Sequence, residues 1–140
     1  MKKLYLLRHA DAAPAEPGQK DSARPLTAHG RKQAAEAASE AKSKEFSFDV
    51  ILTSPYVRAR ETARIFAGIF EMSGQVIEDP RLACGCSVGE IQKILLRYHA
   101  CGSILCVGHE PDLGVIAAAL LGLDHARPFK KAECREFELA

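Results

Sequence analysis

Short apolar runs alternate along this chain with longer stretches of helical period. Leu4-Tyr5-Leu6-Leu7 has the length of a buried strand and stops at Arg8, His9 and Asp11. Residues 12–22, with Pro14, Pro17 and Gly18, are too rich in breakers to be regular and read as a loop leaving the carboxyl end of that strand. Thr27 is a suitable N-cap for a polar, alanine-rich helix over 28–44. Asp49 to Thr53 reads as a second buried strand. Ser54-Pro55 then places an N-cap before a proline at the first helical position, which predicts a helix over 55–70. Gln75 to Glu78 is a short third strand, and Ser87-Val88-Gly89-Glu90 has the spacing of a capping box ahead of a helix reaching Tyr98. Ser103 to Val107 is another buried strand, followed by Gly108-His109-Glu110 and a Pro111-started helix to Leu121. Glu133 to Leu139 alternates charged residues with Cys134, Phe137 and Leu139, as an edge strand does.

Strands alternating with helices predict an α/β layered fold with a largely parallel sheet. At 140 residues the chain has the size of one domain, expected to span 1–140. With 47% hydrophobic and 26% charged residues it falls among soluble globular proteins. The 19 Lys and Arg nearly balance the 18 Asp and Glu, so no general field draws nucleic acid or an anionic membrane, and neither is an expected partner. The apolar start is shorter than a signal-peptide core of about 7–15 residues. No other apolar stretch approaches the ~20 needed to span a bilayer, so a cytoplasmic protein is expected. Five cysteines without a C-x-x-C pair suit reduced thiols. Cys84 and Cys86 offer two soft ligands, but no His/Cys pair elsewhere has zinc-finger spacing; they read as loop thiols, and neither metal nor cofactor is expected.

The candidate chemistry gathers at strand exits. Arg8-His9, Arg58 and His109 each lie at or just beyond the carboxyl end of an apolar run, where open α/β sheets bind their ligands. Arg58 falls on the first turn of one helix and His109 just before another, so backbone N–H groups would face the same crevice. Taken singly, each is as well explained as a solvated surface residue; their convergence makes a phosphate site.

These residues also carry a family resemblance. Leu6-Leu7-Arg8-His9-Ala10-Asp11-Ala12 resembles the Arg-His-Gly signature of the histidine phosphatase (phosphoglycerate mutase-like) superfamily. Thr53-Ser54-Pro55-Tyr56-Val57-Arg58-Ala59 with Glu61-Thr62-Ala63 resembles its second arginine motif, and Val107-Gly108-His109-Glu110 its second histidine motif. The short chain, Arg-His-Ala-Asp-Ala, and Asp21-Ser22-Ala23-Arg24-Pro25-Leu26-Thr27 with Gly30 resemble the SixA branch, which acts on phosphohistidine in phosphorelay or phosphotransfer proteins. The resemblance implies a three-layer α/β/α sandwich with a mostly parallel central sheet, phosphoglycerate mutase-like. Two departures stand out. Ala10 replaces the usual glycine, and Arg81-Leu82-Ala83-Cys84-Gly85-Cys86 lacks the mid-chain carboxylic acid of the mutases and sugar phosphatases.

The resemblance implies a metal-independent hydrolase in which His9 attacks phosphorus and a phospho-His9 intermediate is hydrolysed. Arg8, Arg24, Arg58 and His109 would bind the phosphoryl oxygens, His109 most strongly if protonated. Asp21 or Glu110 would serve as acid or water-activating base, with Glu90 a further candidate better suited to its capping box. The missing acid favours a phosphohistidine substrate on a protein such as a histidine phosphotransfer domain. Two other readings remain open: a phosphatase of small monoesters, and a phosphohistidine-binding module without turnover.

Overall fold

The structure is a computed structural model that describes residues 2–139. A five-stranded sheet runs through it in the order β3-β2-β4-β1-β5, formed by β1 (Lys2–Arg8), β2 (Val50–Thr53), β3 (Val76–Glu78), β4 (Ser103–Gly108) and β5 (Cys134–Leu139). All neighbours pair in parallel except β5, which lies antiparallel to β1 at the edge. Helices α1 (Ala28–Ser43), α2 (Val57–Ile69), α3 (Val88–Arg97) and α4 (Asp112–Leu121) cover the sheet. The three-layer α/β/α sandwich expected from the resemblance is thus present.

The apolar runs bury both faces because successive side chains point to opposite sides of a strand. Leu4 and Leu6 of β1, with Ile104 and Cys106 of β4, enter a core closed by Ile91 and Ile94 of α3 and Leu113 and Ile116 of α4. Tyr5, Leu7, Leu105 and Val107 face the other way, against Ala38 and Ala41 of α1 and Ala59, Ala63 and Phe66 of α2. Small residues on the facing sides of α1 and α2 let the two helices approach each other closely.

Register aligns the strand exits. Leu7 of β1 and Thr53 of β2 both pair with Val107 of β4. Beyond them His9 N–H donates to Gly108 O at 3.1 Å and Ser54 N–H to Val107 O at 3.0 Å, so His9, Ser54 and His109 leave the sheet side by side.

Local starts differ from the sequence reading in three places. α2 begins at Val57 rather than Pro55, because the Ser54 N–H still belongs to the sheet; Ser54 Oγ instead accepts from Tyr56 N–H at 3.2 Å in a turn before the helix. α4 begins at Asp112, with Pro111 in the capping position. The capping box forms by half: Ser87 Oγ accepts from Glu90 N–H at 3.3 Å, while the Glu90 carboxylate turns to Lys93 and Arg81.

The loop after β1 is pinned to α1. Thr27 caps α1 by accepting from Gly30 N–H at 2.9 Å, and its hydroxyl donates to Asp11 Oδ2 at 2.8 Å. Gly30 sits so close to the Asp11 backbone that a β-carbon there would collide with the Asp11 carbonyl. Gly30→Ala should therefore lower stability by about 1–3 kcal/mol in denaturant unfolding, the usual cost of overpacking. Gly89→Ala in α3 meets only Ser87 Oγ at 3.5 Å and should be neutral or stabilising by up to about 1 kcal/mol. Equal effects of the two would contradict the packing described.

Candidate active site

His9 follows β1 and is only 9% exposed. Its Nδ1 lies 2.7 Å from the Ala10 carbonyl oxygen. A carbonyl can only accept, so Nδ1 carries the proton and Nε2 keeps its lone pair. Arg58 Nε–H donates to that Nε2 at 3.3 Å. Burial pushes the His9 pKa down to about 4, helped by the charges of Arg58, Arg8 and Arg24 and opposed by the Ala10 hydrogen bond. The imidazole is neutral at physiological pH.

Ala10 is fully buried and its φ is not positive, so the conformational freedom of glycine is not used there. Its N–H donates to Thr62 Oγ1 at 3.1 Å, and the Thr62 hydroxyl donates to Arg58 O at 2.8 Å. Thr62 thereby joins the His9 turn to the first turns of α2. Glu61 performs a similar service, accepting from Leu26 N–H at 2.8 Å.

Arg58 is buried on the first turn of α2. Its Nη1 and Nη2 donate to Asp21 O at 2.8 Å and Asp21 Oδ2 at 3.1 Å, and its guanidinium lies 4.9 Å from the Tyr56 ring centre. Asp21 is an exposed carboxylate that also accepts from Arg24 Nη1 at 2.9 Å. Hydrogen bonds from Arg24 and then Arg58 hold its pKa below the usual range, so Asp21 is an anion rather than an acid. Arg24 is braced by donating from Nε to Ala13 O at 2.7 Å. Arg8 donates from Nη1 to Phe129 O at 3.0 Å, while its Nε is buried without a hydrogen-bond partner among the described residues.

His109 completes the cluster, its ring centre 5.3 Å from that of His9 and 4.8 Å from that of Tyr56. Burial, and then the neighbouring His9 and Arg58, lower its pKa to about 3, with the Asp21 carboxylate opposing. His109 is therefore neutral at rest rather than in the protonated form in which it would donate most strongly. Its Nε2 lies 2.7 Å from Ser54 Oγ.

The four expected phosphate-binding residues, Arg8, Arg24, Arg58 and His109, and the expected catalytic residues His9 and Asp21 are thus brought to one end of the sheet. The two other carboxylates are engaged elsewhere. Glu110 accepts from Gly114 N–H at 2.8 Å and Phe129 N–H at 3.1 Å, tying α4 to the loop before β5, and Glu90 bridges Arg81 and Lys93. Among the described residues no three His, Cys, Asp or Glu are grouped to hold a metal ion; Cys84 is exposed and Cys86 buried, its thiol pushed up to about 12 by burial. Three guanidinium groups against one exposed carboxylate, beside a neutral imidazole whose unprotonated Nε2 accepts one bond of 3.3 Å from Arg58, suit an oxyanion and a nucleophile for it.

Known proteins share this arrangement of chain. The model of the histidine phosphatase superfamily (branch 1) matches residues 4–93. An uncharacterized protein of Picosynechococcus sp. (strain PCC 7002) is 36% identical over 120 residues, covering 84% of this chain and 72% of that protein. The phosphohistidine phosphatase SixA of Escherichia coli (strain K12) is 29% identical over 121 residues, covering 84% of this chain and 73% of its own length. A solved structure of the protein histidine phosphatase SixA complexed with tungstate matches with a TM-score of 0.87 and 26% identity, over 98% of this chain and 88% of that one. A family model spanning more than half of the sequence, carried by a fold whose strand exits assemble both motif histidines and both motif arginines, leaves one conclusion: the chain belongs to the histidine phosphatase superfamily.

Proposed function

We propose that this phosphatase removes the phosphoryl group from phosphohistidine on a protein partner, such as a histidine phosphotransfer domain, and that residues 1–140 work as one domain in the cytoplasm. The observation that carries the reading is the bond from His9 Nδ1–H to the Ala10 carbonyl, which leaves Nε2 as the attacking atom. In the first step Nε2 forms a bond to phosphorus as the bond to the leaving nitrogen breaks, and the departing imidazole takes a proton from water. Water then cleaves phospho-His9, releasing phosphate. Arg8, Arg58 and Arg24 stabilise the equatorial oxygens, with His109 donating to the same group. Asp21 offsets one of the three arginine charges until the substrate anion takes its place on Arg58.

The occupied carboxylates support the nitrogen-linked substrate. A leaving alkoxide requires a proton from a general acid, an effect worth about 10²–10⁴ in rate. Asp21 is held as an anion, Glu110 is spent on backbone N–H groups, and Glu90 on two cations. A leaving imidazole has less need of such help. The E. coli relative named as a phosphohistidine phosphatase and the SixA structure with tungstate agree with this choice. No helix among the described residues is long and apolar enough to cross a membrane.

His9→Ala should abolish turnover while leaving the circular dichroism spectrum intact; retention of more than a few per cent of the wild-type rate would refute the covalent route. kcat/KM for a phosphohistidine protein should exceed that for sugar phosphates by at least about two orders of magnitude, the lower end of what a general acid contributes. Equal values for the two substrate classes would favour the monoester reading.

The neutral nucleophile also has a stability signature. Above pH 6.5 the imidazole of His9 is neutral both folded and unfolded. Between 6.5 and about 4 the unfolded chain takes up a proton that the folded protein does not, so stability should fall as pH drops through that window. In denaturant unfolding as a function of pH, His9→Gln should flatten this slope by up to one proton; an unchanged slope would show that His9 already titrates normally.

A further inference from the structure

Ser54 stands where β2 leaves the sheet and is completely buried. Its backbone is fixed twice, by N–H donation to Val107 O at 3.0 Å and by its carbonyl accepting from Thr53 Oγ1 at 3.0 Å. The side chain has two neighbours: Oγ accepts from Tyr56 N–H at 3.2 Å and lies 2.7 Å from His109 Nε2. In the reading above His109 binds phosphoryl oxygens, yet nothing so far determines which of its nitrogens carries the proton.

We propose that Ser54 is a positioning residue that holds His109 in its Nδ1–H tautomer, so that a neutral imidazole presents a donor to the phosphoryl group. The inference rests on the phosphatase reading, but its evidence is hydrogen-bond accounting. A hydroxyl has one proton to give. Among the described residues, the acceptor in hydrogen-bond contact with Ser54 Oγ is His109 Nε2. If Nε2–H donated to Ser54 instead, both the hydroxyl proton and the Nδ1 lone pair would be buried without a partner, against the single unpartnered Nδ1–H of the other arrangement. Donation from Ser54 leaves Nε2 as acceptor and puts the imidazole proton on Nδ1. That nitrogen is buried and has no hydrogen-bond partner among the described residues, so its N–H is free to donate.

The tautomer matters because the resting imidazole is neutral. An imidazolium donates from both nitrogens, whereas a neutral ring offers one donor and one lone pair. With the proton on Nε2, His109 would turn its Nδ1 lone pair toward phosphoryl oxygens and repel them. His9, Arg58, Arg8, Asp21 and Tyr56 are charged or titratable groups around His109, and none of them hydrogen-bonds either of its ring nitrogens.

Long-range ¹H–¹⁵N correlation spectra of the free protein read the tautomer directly. The wild type should show a pyrrole-like Nδ1 and a pyridine-like Nε2 for His109; the reverse pattern overturns the proposal. In Ser54→Ala, checked for an intact circular dichroism spectrum, the His109 pattern should shift toward the other tautomer. kcat on a phosphohistidine protein should fall at least about tenfold with a smaller change in KM, since lost orienting partners of a histidine cost from about 10- to 10⁴-fold. A Ser54→Ala enzyme within twofold of the wild-type kcat overturns it as well. The wild-type spectrum decides the matter even if the variant fails to fold. Because the tautomer is read without substrate, its failure is separable from that of the phosphohistidine reading, which is decided by turnover.

Discussion

The hydrogen bond from His9 Nδ1–H to the carbonyl of the next residue is the constraint around which the site is arranged. It fixes the tautomer, turns the lone pair of Nε2 toward Arg58, and demands that the Ala10 peptide be held rigidly. Ala10 N–H is accordingly tied to Thr62 on α2, and the Arg8 and His9 carbonyls accept from Ala132 N–H at 3.1 and 3.3 Å. Ala132 makes these contacts with φ at 60°, a left-handed conformation that costs a non-glycine residue roughly 1–2 kcal/mol. It is buried against Ala10 and Leu26, and the surrounding packing holds it in that conformation. Backbone strain beside His9, the proposed nucleophile, thus coincides with the bonds that orient it.

Positive charge prevails around that bond. Neutral His9 and His109 owe their low proton affinity first to burial and then to nearby charged groups, so the proposed anion site and nucleophile reinforce each other. Asp21 is the counterweight: mostly exposed, and linked to both Arg24 and Arg58. The Asp21 carboxylate is open to water although the Arg58 guanidinium is buried, so solvent screens its side of both pairs and an incoming dianion can compete for the guanidinium groups. Glu110, by contrast, serves the backbone of α4 and of the loop that also accepts from Arg8.

Most of the sheet could be read from the sequence because its strands are buried on both faces and appear as bare apolar runs. The strand exits followed, since parallel topology places Arg8, His9, Arg58 and His109 at one end whatever the detailed register. Ser54 was misread for a physical reason. Ser-Pro before an apolar period is a good helix-start signal, but only the pairing with Val107 reveals that Ser54 still belongs to the sheet and turns its hydroxyl to His109. The protonation state of His109 was equally out of reach, because burial is a property of packing rather than of local pattern. The tie from Glu110 to Phe129 and the left-handed Ala132 depend on segments distant in sequence, which no local signal announces.

The central claim concerns one atom, Nε2 of His9. Mixing the enzyme with a phosphohistidine protein and quenching within milliseconds in alkali, which preserves phosphohistidine, allows the phosphoryl position to be assigned by ³¹P and ¹⁵N NMR. The geometry predicts a phosphoryl group on His9 Nε2, formed before free phosphate accumulates. Phosphate released with no phospho-enzyme at any time, or a phosphoryl group on Nδ1 or on His109, would contradict it.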